Sequence, residues 1–250
     1  MKNKLKIKTS IIIINWNTRE LLENCINSVI ENTGYFELVI VDNGSNDTSS
    51  EFLKTLEIKE NIKVIYNQHN AGFAAANNQG ARLAQGKYLC FLNSDTIAGK
   101  DWLNSLFDVM RKIPDCGAVG PLGNPAEKMK VQDYYISYPQ HKGQFNDITI
   151  VRFLAGFCLL ISKDDFFAAG GWDEDFLIGN FEDTMLSIKI GYVLKKKLAV
   201  TPFSRVDHLK PGSTFIKNNV DINDTYIKNK NIFIDKIKKL GLYEEIRGLV

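Results

Sequence analysis

The sequence predicts an α/β fold built on a mostly parallel sheet flanked by helices, and three observations predict it. Short runs such as Ile11–Ile14 are apolar throughout, as in strands covered on both faces. Segments with helical apolar spacing alternate with them, and polar clusters close the apolar runs, where open α/β sheets bind ligands.

Taken in order, Ser10 to Ile14 reads as the first strand. Asn17, with Glu20 three residues on, reads as the N-cap and box partner of a helix that repeats Leu21, Leu22, Cys25, Ile26 and Val29 at helical spacing. Phe36 to Val41 is the second strand, and the polar turn from Asp42 to Asp47 leads into a helix near Ser49 to Leu56. Ile62 to Tyr66 is the third strand. Asn67 to Gly72 is a loop, Phe73 to Ala84 an Ala-rich helix, and Tyr88 to Leu92 a fourth strand that breaks at Asn93, Ser94 and Asp95. A carboxylate at a strand exit beside a helix start with free N–H groups suits a metal-bound phosphate.

Trp102 to Met110 is a helix and Ala118 to Pro121 a short strand. Leu122 to Ile150, rich in Gly, Pro, Asn and Tyr, is a loop region with irregular strands and a place for an acceptor to dock. Arg152 to Ile161 reads as a strand carrying Gly156, Lys163 to Ala169 as a helix, Gly170 to Asp175 as a turn and Glu182 to Ile190 as a helix. Val206 to His208 ends a strand-like segment. Asp221 to Leu240 is an amphipathic helix with Ile222, Tyr226, Ile234 and Ile237 among its apolar positions. With neither an internal repeat nor a long linker, the expectation is one domain with a half at 9–120, a half at 121–212 and a helical extension at 213–250.

A chain of 250 residues that is 44% hydrophobic and 24% charged can bury a full core, which excludes wholesale disorder. A formal net charge of +2 is too mild for a nucleic-acid partner. Cys25, Cys90, Cys116 and Cys158 are scattered without metal spacing and read as reduced core residues of a cytoplasmic protein. The lysines and short apolar run at the N-terminus lack a cleavage site, and no run approaches the roughly 20 apolar residues of a membrane span.

The segments IIIINWN, VIVDNGSNDTS, NAGFAAANNQG, YLCFLNSDT, FLAGFCLLISKDDFFAAGGWDEDF, FEDTML and VDHLKPGS, in this order, closely resemble the family 2 glycosyltransferases, most of all the bacterial rhamnosyltransferase-like branch acting on surface polysaccharides. The resemblance spans about residues 9 to 240. It implies a GT-A fold, a UDP- or dTDP-sugar donor, a divalent cation (Mn²⁺ or Mg²⁺) and inversion at the anomeric carbon. The acceptor implied is a hydroxyl on a surface glycan, a lipid-linked saccharide or a protein.

Carried over residue by residue, Asp42 would accept from the N3–H of uracil or thymine, with Asn15 and Asn17 lining the same pocket. Asn17 also reads as a plain helix cap. Asn70 and Gly72 would lie near ribose or diphosphate. Asn93, Ser94 and Asp95 occupy the family's Asp-x-Asp, with Asn93 in place of its first Asp and Asp95 as the direct metal ligand; His208 would be the second. A nitrogen ligand tilts the choice slightly toward Mn²⁺. Asp183 would be the general base, ionised at neutral pH, with Glu182 beside it in the first helical turn. Two residues on, the family's second Asp is Met185 here. Trp172 and Asp173 would face the acceptor, Trp172 reading equally well as core. The lysines of the last helix suggest peripheral contact with the inner face of a membrane, packing back on the domain, or a junction to a further domain.

Asn93 and Met185 motivate an alternative: a catalytically weak nucleotide-sugar-binding module of a larger glycosylation protein. A sugar nucleotidyltransferase would need a Gly-rich loop after the first strand, and NWNTRE has no Gly.

Overall fold

Four consecutive isoleucines have no polar face, and β1 (Thr9–Asn15) accordingly lies inside the sheet with both faces covered. A computed structural model describes residues 9–122, 147–176, 178–209 and 218–247. β1 pairs in parallel with β2 (Glu37–Asp42) and β4 (Tyr88–Asn93), and β2 pairs in parallel with β3 (Ile62–Tyr66). Past β4 the directions mix. β8 (Cys158–Ser162) is antiparallel to β4 and to β6 (Cys116–Pro121), β9 (Lys197–Thr201) is parallel to β6, and β7 (Thr149–Val151) is antiparallel to β9. The strand order is β3-β2-β1-β4-β8-β6-β9-β7. A separate antiparallel pair joins β5 (Thr96–Ala98) to β10 (Val206–His208).

The alternation of side chains sorts the core into two layers. Ile11, Ile13, Leu38, Ile40, Cys90 and Leu160 face α1 (Arg19–Asn32), α2 (Ser49–Leu56) and α4 (Trp102–Lys112). Ile12, Val39, Phe91, Leu159 and Ile161 face α3 (Phe73–Leu83), α5 (Lys163–Ala168) and α6 (Glu182–Ile188). Each fully buried large aliphatic side chain contributes about 1.5–3 kcal/mol, so these two layers drive the fold. The four cysteines are free and buried within it, as expected, and burial pushes the Cys25 thiol up to about 12.

A third cluster involves the C-terminal helices α7 (Ile222–Lys239) and α8 (Tyr243–Ile246), whose Phe233, Ile237 and Ile246 pack on Phe153, Phe176, Met185 and Ile188. Of the three meanings open for the lysine-bearing last helix, packing back on the domain is what the structure shows. Its buried stripe is Asn229, Phe233 and Ile237, rather than one including Tyr226, which is partly exposed. Asp221 caps α7 by accepting from the N–H groups of Asn223 and Asp224. Among the described residues no helix is long and apolar enough to cross a membrane.

The expected strand from Arg152 to Ile161 forms only from Cys158 onward. Residues 152–157 are apolar enough for a strand, but side chains of α6 take their N–H groups out of the ladder. Ser187 Oγ accepts from Leu154 N at 3.0 Å and Asp183 Oδ2 from Gly156 N at 3.1 Å. Of the expected loop from Leu122 to Ile150, residues 123–146, with any acceptor docking there, lie outside the described residues; so do Lys210 to Ser213 of the VDHLKPGS motif.

At Gly80, α3 approaches β1 so closely that a Cβ would stand 2.6 Å from Ile12 Cγ2. Gly80→Ala should therefore lower stability by about 1–3 kcal/mol through overpacking, despite alanine's better helix propensity. Urea unfolding of the variant checks this, and an unchanged or raised midpoint would show that Ile12 yields freely.

Candidate active site

The parallel strands β1, β2 and β4 end on one rim, and their register sets Asn15 against Asp42 and Ile14 against Asn93. Asp42 is 2% exposed. Its Oδ1 accepts from Asn15 Nδ2 at 3.1 Å and its Oδ2 from Ser50 Oγ at 2.7 Å, so the carboxylate is fixed in orientation yet keeps lone pairs for a further donor. Asn15 Nδ2 also donates to Ser45 Oγ at 3.0 Å, and Asn15 Oδ1 accepts from Thr18 Oγ1 at 2.8 Å.

Asn17 is not the helix cap. α1 starts at Arg19 with Thr18 in the cap position, and the Arg19 N–H is taken by Asp47 Oδ2 at 3.1 Å. Asn17 instead adopts a left-handed conformation (φ 56°) and bridges two loops. Its Oδ1 accepts from Asn46 N at 2.7 Å, and its Nδ2 donates to Asn218 Oδ1 at 2.5 Å. It borders the Asp42 pocket through Ser45, which its own N–H reaches at 3.0 Å.

The loop before α3 is organised by a residue the motif reading passed over, Asn43. Its Nδ2 donates to Asn70 Oδ1 at 2.7 Å, and its Oδ1 accepts from Asn67 Nδ2 at 2.9 Å and from Ala71 N at 3.0 Å. Asn70 Oδ1 also accepts from Gly72 N at 2.8 Å. Gly72 has φ 90°, a conformation that favours glycine, and begins the helix with no side chain over its N–H groups. Thr18, Asn43, Ser45 and Ser50 were all missed as site residues. The signal for Asn43 and Ser45 was the polar turn after β2, whereas Thr18 takes the cap position of α1 and Ser50 lies in α2.

β4 ends at Asn93, and the turn Ser94–Asp95 leads into β5. Ser94 Oγ lies 3.1 Å from Thr18 Oγ1, tying this turn to the Asn15 network. Because β10 pairs with β5, His208 comes opposite Thr96, and its Nε2 lies 3.0 Å from Asp95 Oδ1. Both side chains are buried, His208 stacks on Phe157 (centroids 4.9 Å apart, 10° between planes), and His208 Nδ1 has no partner among the described residues. An octahedral divalent ion with bonds of roughly 2.1 Å sets neighbouring ligand atoms about 3 Å apart, so the pair fits two adjacent ligands of such an ion. Among the described residues no group of three or more His, Cys, Asp or Glu could hold a metal ion, so Asp95 and His208 stand as a pair.

Asp183 and Glu182 open α6, which is buried over its whole length. Asp183 Oδ1 accepts from Thr184 N at 2.7 Å and its Oδ2 from Gly156 N at 3.1 Å. Gly156 thus touches Asp183, while the next residue, Phe157, stacks on His208 and accepts from Asn93 N at 2.8 Å. One dipeptide links the Asp95–His208 pair to Asp183. Burial, reinforced by the Asp183 carboxylate, pushes Glu182 up to about 8, so it holds its proton at neutral pH. Met185, at the position of the family's second Asp, is buried against Phe233 and Ile237 and takes no part in the rim.

Two expected acceptor residues are otherwise occupied. Trp172 is 1% exposed and packs edge-on against Phe73 and Phe91, so its ring has no face for a sugar. Asp173 pairs with Lys236 at 3.0 Å and Lys189 at 3.4 Å and serves to fasten α7. Burial would raise its pKa, but the Lys236 hydrogen bond and the two ammonium charges outweigh it and hold the carboxyl below its usual range. Both assignments followed from the family resemblance, which places acceptor-facing groups after this Gly-Gly turn.

The model of Glycosyl transferase family 2 matches residues 10–167, well over half of the chain. A Bacillus subtilis glycosyltransferase assigned to teichuronic acid biosynthesis, TuaG, is 36% identical over 103 residues, 40% of this chain and 41% of TuaG. The chain spans less than half the length of the curated relatives it matches. Among solved structures, GalNAc-T7 with UDP, GalNAc and Mn²⁺ superposes with a TM-score of 0.66 at 21% identity, covering 83% of this chain and 45% of that one. The mannosyltransferase PcManGT from Pyrobaculum calidifontis, in complex with GDP-Man and Mn²⁺, gives 0.65 at 16% identity over 87% of this chain and 66% of that one. These likenesses show that the α/β fold is of the GT-A type.

A carboxyl whose folded pKa is raised supports folding fully below its unfolded pKa and loses that support as pH climbs through the folded value. Glu182 should therefore weaken the protein between about pH 4.5 and 8. Glu182→Gln, neutral at every pH, should remove that slope, with each kcal/mol read as about 2–4 °C in Tm. Parallel Tm-against-pH curves for the two proteins would refute the assignment.

Proposed function

The chain belongs to glycosyl transferase family 2, and we propose that it moves a sugar from a UDP- or dTDP-linked donor to an acceptor hydroxyl, with inversion, by metal-assisted single displacement. The observation that carries this reading is the Gly156–Phe157 dipeptide, which holds the Asp183 carboxylate and the Asp95–His208 pair to one rim. A module that only bound nucleotide would need no buried carboxylate fixed at that place.

In this reading Asp42, oriented by Asn15 and Ser50, accepts from the imide N–H of the base. Asn43 and Asn70 hold the loop that brings the Gly72 backbone and the start of α3 toward the diphosphate. Asp95 and His208 would hold a Mn²⁺ or Mg²⁺ ion, which neutralises charge on a departing diphosphate. Asn93 makes this site less anionic than an Asp-x-Asp. Asp183, anchored by the Gly156 and Thr184 N–H groups, takes the proton of the attacking hydroxyl. Burial and the neighbouring Asp183 carboxylate favour the protonated form of Glu182.

The acceptor is a hydroxyl of a surface glycan, a lipid-linked saccharide or a protein. Lys228, Lys238 and Lys239 remain exposed on α7, which supports a peripheral contact with an anionic membrane surface near such an acceptor.

A screen of UDP- and dTDP-sugars with Mn²⁺ or Mg²⁺ should show release of UDP or dTDP by the wild type that stops when the metal is chelated. Asp183→Ala should cut turnover by about 10²–10⁴-fold with UDP affinity unchanged. Asp95→Ala and His208→Ala should each weaken Mn²⁺-dependent UDP binding by at least about tenfold. Turnover by Asp183→Ala at the wild-type rate would overturn the base assignment; UDP bound without turnover of any donor would favour the binding module.

A further inference from the structure

The loop that delivers Asp183 is unusual in its backbone. Gly179, Asn180 and Phe181 all have positive φ (142°, 74° and 73°), and the last two are residues with side chains, one of them aromatic. Such a run persists only where surrounding contacts over-determine it. Those contacts come from α7, beyond the residues that match the family model.

We propose that Asn229 is a positioning residue: it holds the 179–181 loop in its left-handed form and thereby sets the Asp183 carboxylate on the rim. Asn229 is 2% exposed, and its amide donates to Gly179 O at 2.5 Å and to Asn180 O at 3.3 Å. Its two N–H bonds meet two successive carbonyls, which a right-handed or extended loop would not present together. Phe181, the last residue of the run, packs its ring between Tyr226 and Phe233 of α7, each 5.2 Å away, and its carbonyl accepts from Met185 N at 2.8 Å. Lys236, further along the same helix, pairs with Asp173 and Asp175, which precede the loop in the chain. α7 thus holds the chain ahead of the loop through Lys236, its first two carbonyls through Asn229 and its last residue through Tyr226 and Phe233.

The role of Asn229 toward catalysis rests on the reading of Asp183 as base, so the test has one arm independent of activity. In the full chain, Asn229→Ala should speed amide hydrogen exchange in residues 179–186 by at least about tenfold while leaving β1, β2 and β4 unchanged. With the donor turned over fastest in the screen, kcat should fall about 10- to 100-fold at unchanged KM for donor and unchanged UDP–Mn²⁺ affinity. Added to Asp183→Ala, the substitution should cost nothing more.

Unchanged exchange in 179–186, loosening spread evenly over the chain, or full additivity with Asp183→Ala would overturn the proposal. If Asn229→Ala does not fold, Asn229→Ser, which keeps one donor, is read in the same way. Wild-type turnover by Asp183→Ala would sink the base reading alone, since local loosening on exchange would still identify Asn229 as the holder of the loop.

Discussion

The site depends on a strand that declines to form. Between Val151 and Cys158 the chain is apolar enough to continue the sheet, yet Ser187 and Asp183 of α6 capture the N–H groups of Leu154 and Gly156. A ladder there would have left the buried Asp183 carboxylate without the Gly156 donor, a cost of about 1–3 kcal/mol or more for an anion. The irregular backbone is thus stabilised by the group it positions. The same break turns Phe157 toward His208, so the proposed base and metal pair share one structural cause.

The donor rim uses another economy. Asn15, Asp42, Asn43, Asn67 and Asn70 are linked to one another and to Ser45 and Ser50, so short side chains fix short side chains. Buried polar groups linked in this way lose little entropy on meeting a ligand and are costly to disturb singly.

Much of this was legible in the sequence, for reasons that can be named. Strands buried on both faces announce themselves, and the Ile, Val and Leu runs of β1, β2 and β4 matched their positions within a residue or two. The juxtaposition of Asp95 with His208 was legible only through family resemblance, because nothing local links residues 113 apart. What failed did so where two physical states share one pattern. An apolar run reads the same as strand or as buried irregular backbone, which misled at 152–157. Asn before a helix reads as a cap, but at position 17 a positive φ sent its side chain to other loops. An aromatic and an acid after Gly-Gly read as acceptor contacts, although only packing decides whether Trp172 and Asp173 face out or in.

The pairing of β5 with β10 also bears on how the protein comes to be folded. Contacts between distant segments form late, since the loop they close must first be ordered. β1 to β4 and their helices are local enough to assemble their polar rim early, whereas Asp95 acquires His208 only when chain from the far side of the sheet has docked. In the proposed reading, the Asp95–His208 pair would thus be among the last features to form, so that a partly folded chain would hold the pocket proposed for the base before the pair proposed for the metal.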